Sequence, residues 1–349
     1  MRKIHINTSR EYDVIISNNI LNRTGELAKT VFKPCKIAII SDDKVYPIYG
    51  ETVKKSLEDA GFETAVYIFK NGEKSKNMLE YTNMLEFLAE NHFTRSDAVA
   101  ALGGGVTGDM AGFAAASYLR GISFIQIPTT FLAAVDSSVG GKTGVNLKSG
   151  KNLAGAFHQP SLVICDTECL KTLPEETFAD GVSEAVKCGM LENFEMLEKM
   201  QSEYDVEEII AQCVEIKRSV VCEDEHDTGM RQLLNFGHTI GHTIEKNSGY
   251  TITHGHAVSM GTAAITLAAE RDGIAEKGTY EYLCSVLKKC RLPIDCPFSA
   301  EDIYSVALSD KKRNGNSITL VLPEKVGKCI LYKTDTDKLL DFIKKGLEK

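Results

Sequence analysis

The chain has 349 residues, of which 43% are apolar and 25% charged, an ordinary globular composition long enough for two domains with separate cores. Its net charge of −8 comes with no basic run, which argues against nucleic acid as a partner, because phosphate-backbone binding needs clustered Lys and Arg. No stretch approaches the roughly 18 uninterrupted apolar residues of a membrane span, and no membrane association is expected.

The opening residues, Met1 to Asn7, alternate polar and apolar side chains and read as a strand without the apolar core of a signal peptide. The ten cysteines are scattered from Cys35 to Cys329 without a CxxC pair. This pattern fits reduced thiols and a cytoplasmic location. Strands are expected at Tyr12–Ile16, Lys36–Ser41, Thr64–Ile68, Ala98–Leu102 and Ser123–Ile127, with amphipathic helices between them at Glu51–Ala60 and Met78–Glu90. Such alternation predicts a parallel α/β sheet covered by helices. Beyond the Gln159-Pro160 step helical periodicity takes over at Glu175–Met200, Glu207–Val221, Met230–Lys246 and Val258–Asp272, and a strand pattern returns only at Ser317–Leu322. The expected organisation is a nucleotide-binding α/β domain over residues 1–160 and a mostly α-helical, metal-binding domain over 161–349.

Within the first domain, Ala98–Leu102 runs into Gly103-Gly104-Gly105-Val106-Thr107-Gly108-Asp109, followed by a small-residue helix. G-x-G-x-x-G between a strand and a helix lets backbone N–H groups approach a pyrophosphate. The alternative is a tight turn that binds nothing. Asp42, closing the strand Lys36–Ser41, suits an acid gripping ribose hydroxyls, but it lies upstream of the glycines, against the usual order. The charged loop Gly72-Glu73-Lys74-Ser75-Lys76 reads either as a sugar or phosphate contact or as a solvated loop.

Four of the eight histidines fall between His238 and His256. Arg231, Asn235, His238 and His242 are spaced to line one face of a single helix, and Gly237 and Gly241 form a stripe where another backbone can approach. His254 follows a short turn. A catalytic metal site takes three protein ligands and keeps one position open, so two histidines and one carboxylate suffice, and Glu184 is the best carboxylate candidate. Its alternative role is an i,i+3 ion pair with Lys187 worth a few tenths of a kcal/mol.

Gly103–Asp109, the run from Pro128-Thr129-Thr130 through Asp136-Ser137-Ser138-Val139-Gly140-Gly141-Lys142-Thr143, Gly150-Lys151-Asn152-Leu153, Glu184–Lys187 and Leu234–His242 together resemble the 3-dehydroquinate synthase family, nearly from end to end. The resemblance implies an active site between the two domains and zinc or cobalt ligands at Glu184, His238 and His254. It implies NAD contacts at Asp42, Glu73, Lys76, Gly104, Gly105, Val106, Asp109, Thr129, Thr130, Lys142, Lys151 and Thr172. Substrate contacts are implied at Asp136, Lys142, Asn152, Lys187, Lys217, Arg231, Asn235, His242 and Lys311, and Arg120 resembles an arginine reaching the neighbouring subunit of a homodimer. The implied substrate is a phosphorylated sugar acid, and the implied reaction combines transient oxidation by NAD, β-elimination of phosphate, re-reduction and intramolecular aldol closure.

Two positions depart from the family pattern. His256 stands in His254-Gly255-His256-Ala257-Val258 where Glu is common, and is expected to support the metal site rather than ligate. Asp227 replaces a usual Glu before Arg231. No role is expected for Asn146. The rival readings are a sugar phosphate cyclase of other specificity, a metal-dependent alcohol or glycerol dehydrogenase, and a non-catalytic NAD-binding regulator.

Overall fold

The computed structural model describes residues 1–307, 313–314 and 317–348. It divides into two compact units, Met1–Pro174 and Glu175–Lys349, a boundary later in the chain than the Gln159-Pro160 step. The reason is one further strand: Leu162–Asp166 is buried throughout and pairs in parallel with strands of the first unit.

The first unit is built on seven strands. These are β1 (Arg2–Ile6), β2 (Tyr12–Ser17), β3 (Lys36–Asp42), β4 (Glu63–Phe69), β5 (Ala98–Gly103), β6 (Ser123–Pro128) and β9 (Leu162–Asp166), in the order β1-β2-β9-β6-β5-β3-β4. All neighbours are parallel except β1 and β2. Strand periodicity splits the interior into two layers. Ile37, Ile39, Ala98, Ala100, Ile125 and Ile164 face helices α1 (Thr24–Ala28) and α2 (Glu51–Asp59) through Leu27, Val53 and Leu57. Ala38, Ile40, Val99, Ala101 and Phe124 face α3 (Met78–Glu90) and α4 (Gly105–Ser117) through Met84, Leu88, Met110 and Ala114. Each fully buried Ile or Leu stabilises by about 1.5–3 kcal/mol, so the central strands read as nearly continuous apolar runs. A hairpin of β7 (Lys142–Leu147) and β8 (Gly150–Phe157) stands outside this sheet; its Gly- and Ala-rich second strand carries no alternation.

The second unit holds α5 (Glu175–Glu192), α6 (Phe194–Met200), α7 (Val206–Glu223), α8 (His238–Asn247), α9 (His254–Arg271), α10 (Thr279–Lys289), α11 (Ala300–Ala307) and α12 (Thr336–Leu347). A small antiparallel sheet of β10 (Arg313–Asn314), β11 (Ser317–Lys325) and β12 (Lys328–Asp335) completes it. Two expected helices are each broken in two. Asn193 ends α5 and caps α6 by accepting from the Met196 N–H at 3.0 Å. Met230–Asn235 is a 3₁₀ turn separated from α8 by Gly237, whose φ of 77° no helix interior permits. Arg231 and Asn235 therefore do not share one helix face with His238 and His242.

Backbone contact fixes α8 against α9. A Cβ at Gly261 would lie 2.2 Å from the Gly237 carbonyl oxygen, and one at Gly241 would lie 3.1 Å from Val258 Cα. The glycine stripe is thus where another backbone approaches. Gly261→Ala is expected to cost about 1–3 kcal/mol through overpacking, read from urea unfolding at neutral pH. A loss below about 0.5 kcal/mol, within the range of ordinary surface changes, would show that the two helices are not held at that distance.

Candidate functional site

In the first unit the glycine turn lies at the C-terminal ends of adjacent parallel strands. β5 ends at Gly103, β3 beside it ends at Asp42, and β6 on the other side delivers Thr129 and Thr130. This is the crevice position where open α/β sheets take their ligands. Because β3 precedes β5 in the chain yet pairs with it, the acid reaches the turn from upstream, which explains the inverted order in the sequence.

Asp42 is buried, and its Oδ1 accepts from the Lys44 and Val45 N–H groups at 2.9 and 3.0 Å. The Thr129 N–H donates to the Gly103 carbonyl at 3.0 Å, and a Cβ at Gly104 would come 2.9 Å from Thr130 Cγ2. Gly104 precedes the first turn of α4, where Gly105 and Val106 leave N–H groups for an anion. Thr107 and Thr129 flank the turn with buried hydroxyls that make no hydrogen bond. Two orphaned hydroxyls at a helix N-terminus fit a phosphate-bearing cofactor.

A second cluster surrounds Lys76. Its buried ammonium donates to Asp109 Oδ2 at 2.5 Å and to Asn152 Oδ1 at 2.6 Å, drawing α4 and β8 to the turn after β4. Glu73 accepts from Asn146 Nδ2 at 2.7 Å and lies 4.0 Å from the Lys151 ammonium. Asn146 Oδ1 accepts from the Asn152 N–H at 2.9 Å, and its own N–H donates to the Lys76 carbonyl at 3.0 Å. Asn146 therefore joins three expected contact residues, though nothing in its sequence surroundings marks it. Asn152 itself has φ of 52°, a conformation this bond supports. Thr172 shares a 2.6 Å hydroxyl contact with Tyr49. Asp136 lies in the turn Ala133–Ser137, and Lys142 is an exposed residue opening β7. Arg120 is exposed and, with Leu119, sits at positive φ (68° and 50°).

The second unit brings together Glu184 of α5, His238 at the start of α8 and His254 at the start of α9, with ligand atoms all within 4.8 Å of one another. Glu184 is fully buried; its Oε1 lies 3.6 Å from His238 Nε2 and 3.4 Å from His254 Nε2, and its Oε2 faces the Lys187 ammonium. Both readings of Glu184 thus hold at once, the pair with Lys187 and the meeting with the histidines. Neither carboxylate oxygen meets a well-aligned hydrogen-bond donor. A buried anion is costly without compensation, so one carboxylate facing two imidazole nitrogens fits a divalent cation. Burial alone would depress His254, but the carboxylates of Glu184 and Glu245 outweigh it and push the imidazole up to about 10. His242, exposed, stands beside the group, its ring centroid 5.2 Å from that of His238 and 5.9 Å from that of His254. His256 is in neither metal-capable group among the described residues; its Nδ1 lies 3.9 Å from Glu176.

Two residues outside the sequence-derived set hold His254. Asp180, one turn before Glu184 on α5, accepts from the Thr253 hydroxyl at 2.6 Å and from the Gly255 and His256 N–H groups at 2.9 and 3.3 Å. It caps α9 from another helix. Glu245, on the histidine face of α8, meets His254 Nδ1 at 3.1 Å. The i,i+3 spacing from His242 is the signal that marks it; the cap by Asp180 has none.

Lys187, Lys217 and Arg231 are all buried, on α5, α7 and the 3₁₀ turn, and these three elements pack on one another. Arg231 donates from Nη1 to the Glu225 carbonyl at 2.5 Å. Asn235 donates to the Gln232 carbonyl at 3.2 Å. The loop ahead of Arg231 is tied by Asp224, which accepts from the Thr228, Gly229 and Arg231 N–H groups at 3.0, 2.6 and 3.1 Å. Asp227 sits in this loop at φ of 60°. Lys311 lies outside the described residues.

Residues 66–180 match the family model described as 3-dehydroquinate synthase N-terminal, and residues 181–313 the corresponding C-terminal model. A 3-dehydroquinate synthase of Streptococcus suis (strain 05ZYH33) is 44% identical over 342 residues, covering 95% of this chain and 96% of that protein. Among solved structures, 2-deoxy-scyllo-inosose synthase complexed with carbaglucose-6-phosphate, NAD+ and Co2+ superposes with a TM-score of 0.89 at 27% identity, covering 99% of this chain and 100% of that one. Glycerol dehydrogenase from Schizosaccharomyces pombe shares the fold at a TM-score of 0.63 and 16% identity, over 95% of this chain and 88% of that one.

Two outcomes follow from these contacts. Asp180→Ala is expected to cost about 0.5–2 kcal/mol, the ordinary worth of a helix cap, in urea unfolding of the metal-free protein; an unchanged midpoint would refute the cap. Partial burial works against the Asp224 carboxylate, but its backbone and Thr228 hydrogen bonds outweigh this and bring it down from 3.8 to about 2. A depressed carboxylate stabilises the fold above its unfolded pKa and loses that contribution as pH falls through the folded one. The stability gap between the parent and Asp224→Asn is therefore expected to narrow from pH 5 to pH 3, and a gap that widens would contradict the assignment.

Proposed function

Because the chain belongs to the 3-dehydroquinate synthase family, we propose that it converts 3-deoxy-D-arabino-heptulosonate 7-phosphate to 3-dehydroquinate and inorganic phosphate, using NAD and one divalent cation. The observation that carries this reading is the convergence of Glu184, His238 and His254 in the same unit as the buried cations Lys187, Lys217 and Arg231. When bound, NAD supplies a reversible hydride acceptor and the cation supplies Lewis acidity.

The rest falls to side chains. Lys187, Lys217 and Arg231, with Lys142 and Lys311, meet a substrate that carries both a carboxylate and a phosphate. Arg231 offers a planar fork suited to either group, and the lysines act as point charges. Asn235, Asn152 and Asp136 orient hydroxyls by hydrogen bonding. His242, exposed beside the metal-capable group, moves a proton at a substrate oxygen, or positions it, with the substrate's own phosphate available as base. Arg120 reaches the active site of a second copy in a homodimer; its strained, exposed backbone supports a role beyond its own unit. Glu184, His238 and His254 hold the cation, and Asp42, Glu73, Lys76, Gly104, Gly105, Val106, Asp109, Thr129, Thr130, Lys142, Lys151 and Thr172 hold NAD.

A dehydrogenase of simple alcohols shares the fold but has no use for a set of buried cations, since its substrate carries no charge. The two readings separate on one assay. Phosphate release from the heptulosonate phosphate is expected to require both NAD and the cation, with no net accumulation of NADH. Glu184→Ala and His254→Ala are each expected to lower that rate by at least about 100-fold. Full phosphate release from exhaustively metal-stripped protein, or stoichiometric NADH without phosphate, would overturn the proposal.

A further inference from the structure

We propose that Glu245 is a positioning residue for the cation site: it binds His254 Nδ1 and thereby presents His254 Nε2 to the ion. This rests on the reading that Glu184, His238 and His254 hold the cation, and goes beyond it by assigning a residue that is not among the three.

The argument starts on α8. His238, His242 and Glu245 are spaced four and three residues apart, so they share one face. Glu245 is only 3% exposed, and a carboxylate so buried is retained only where its charge is met. Its Oε2 lies 3.1 Å from His254 Nδ1. On the other side of the same ring, Nε2 lies 3.4 Å from Glu184 Oε1. An oxygen acceptor at Nδ1 draws the imidazole proton there and leaves the Nε2 lone pair free.

The second histidine repeats the arrangement independently. His238 Nδ1 lies 3.1 Å from the Phe236 carbonyl and its Nε2 lies 3.6 Å from Glu184 Oε1. Both rings are thus gripped at Nδ1 by oxygen and turned through Nε2 toward one carboxylate. The two grips differ in kind. A carbonyl polarises His238, whereas a buried carboxylate polarises His254 more strongly and makes it the better donor to a cation.

Glu245 also belongs to a second group, His242, Glu245 and His254, whose ligand atoms lie within 4.8 Å of one another. A cation there would have to use His254 Nδ1 while the first used Nε2. A ring that ligates through both nitrogens must give up both protons, whereas the Glu245 hydrogen bond needs Nδ1 protonated. Orientation is therefore the role the contacts favour over ligation.

The experiment uses the metal-stripped full chain and cobalt(II), with its dissociation constant read by chelator competition for the parent, Glu245→Gln, Glu245→Asp and Glu184→Ala. Glu245→Gln is expected to weaken cobalt binding about 10- to 100-fold and to recover most of its phosphate-releasing activity at saturating cobalt. Parental cobalt affinity in Glu245→Gln would overturn the proposal, and so would two cobalt ions per parent chain where Glu245→Gln binds one. Should Glu245→Gln not fold, Glu245→Asp decides: weakened binding supports the role and parental affinity overturns it. If Glu184→Ala also binds cobalt like the parent, the three-residue site falls and the proposal with it. Loss in Glu184→Ala alone overturns only the role of Glu245.

Discussion

The helical unit is organised around one carboxylate shut off from solvent. Glu184 is fully buried on α5 and faces Lys187, His238 and His254. Removing a carboxylate from water costs several kcal/mol, and replacing such a buried ionic group with apolar residues is often neutral or stabilising. Stability alone therefore gives no reason to keep a charge there; function does. Once the charge is kept, the helices around it are constrained, because its partners come from elements far apart in the chain.

That constraint explains the small residues of the site. For His238 and His254 to reach the same oxygen, α8 and α9 must approach backbone to backbone, and Gly241 and Gly261 leave the space. Gly237 also turns the chain through a left-handed conformation, so that α8 begins at His238 itself. Gly255 does the same work against α5: a Cβ there would lie 2.3 Å from Asp180 Cα. The Asp180 carboxylate bonds the N–H groups at the start of α9, so one helix both carries Glu184 and fixes the origin of the helix that carries His254.

How much of this was legible in the sequence depended on whether the signal was local. The central strands announced themselves because burial on both faces demands unbroken apolar runs, and β3, β5 and β6 lie where those runs lie. The glycine turn was legible because a strand, closely spaced glycines and a helix carry its geometry within a dozen residues. The candidate metal group was legible as a density of histidines, and Glu184 as an acid among small residues. The break at Gly237 was hidden because 3₁₀ and α spacing share the i,i+3 contact, so Met230–Lys246 keeps helical periodicity through a segment that is not one helix. β7 and β8 were hidden because hairpin pairing outside the sheet leaves Gly and Ala where alternation should be. Asn146 and Asp180 were hidden for a different reason: each acts through backbone N–H groups of distant segments, and a backbone donor has no sequence identity to read.

The electrostatics of the helical unit bear on what it can hold. Glu184 serves Lys187 through Oε2 and the imidazoles through Oε1. One carboxylate cannot neutralise both an ammonium and a divalent ion, and Glu245 is itself engaged with His254. On the proposed reading, a divalent cation there would set its two charges and that of the Lys187 ammonium against the carboxylates of Glu184 and Glu245 in a medium that screens poorly. Such a site repels further cations, is indifferent to neutral alcohols and is relieved by an anion bound within reach of Lys187. A ligand carrying a carboxylate and a phosphate meets that demand. On the proposed reading, the buried carboxylate that burdens the fold is what would place the cation beside Lys187.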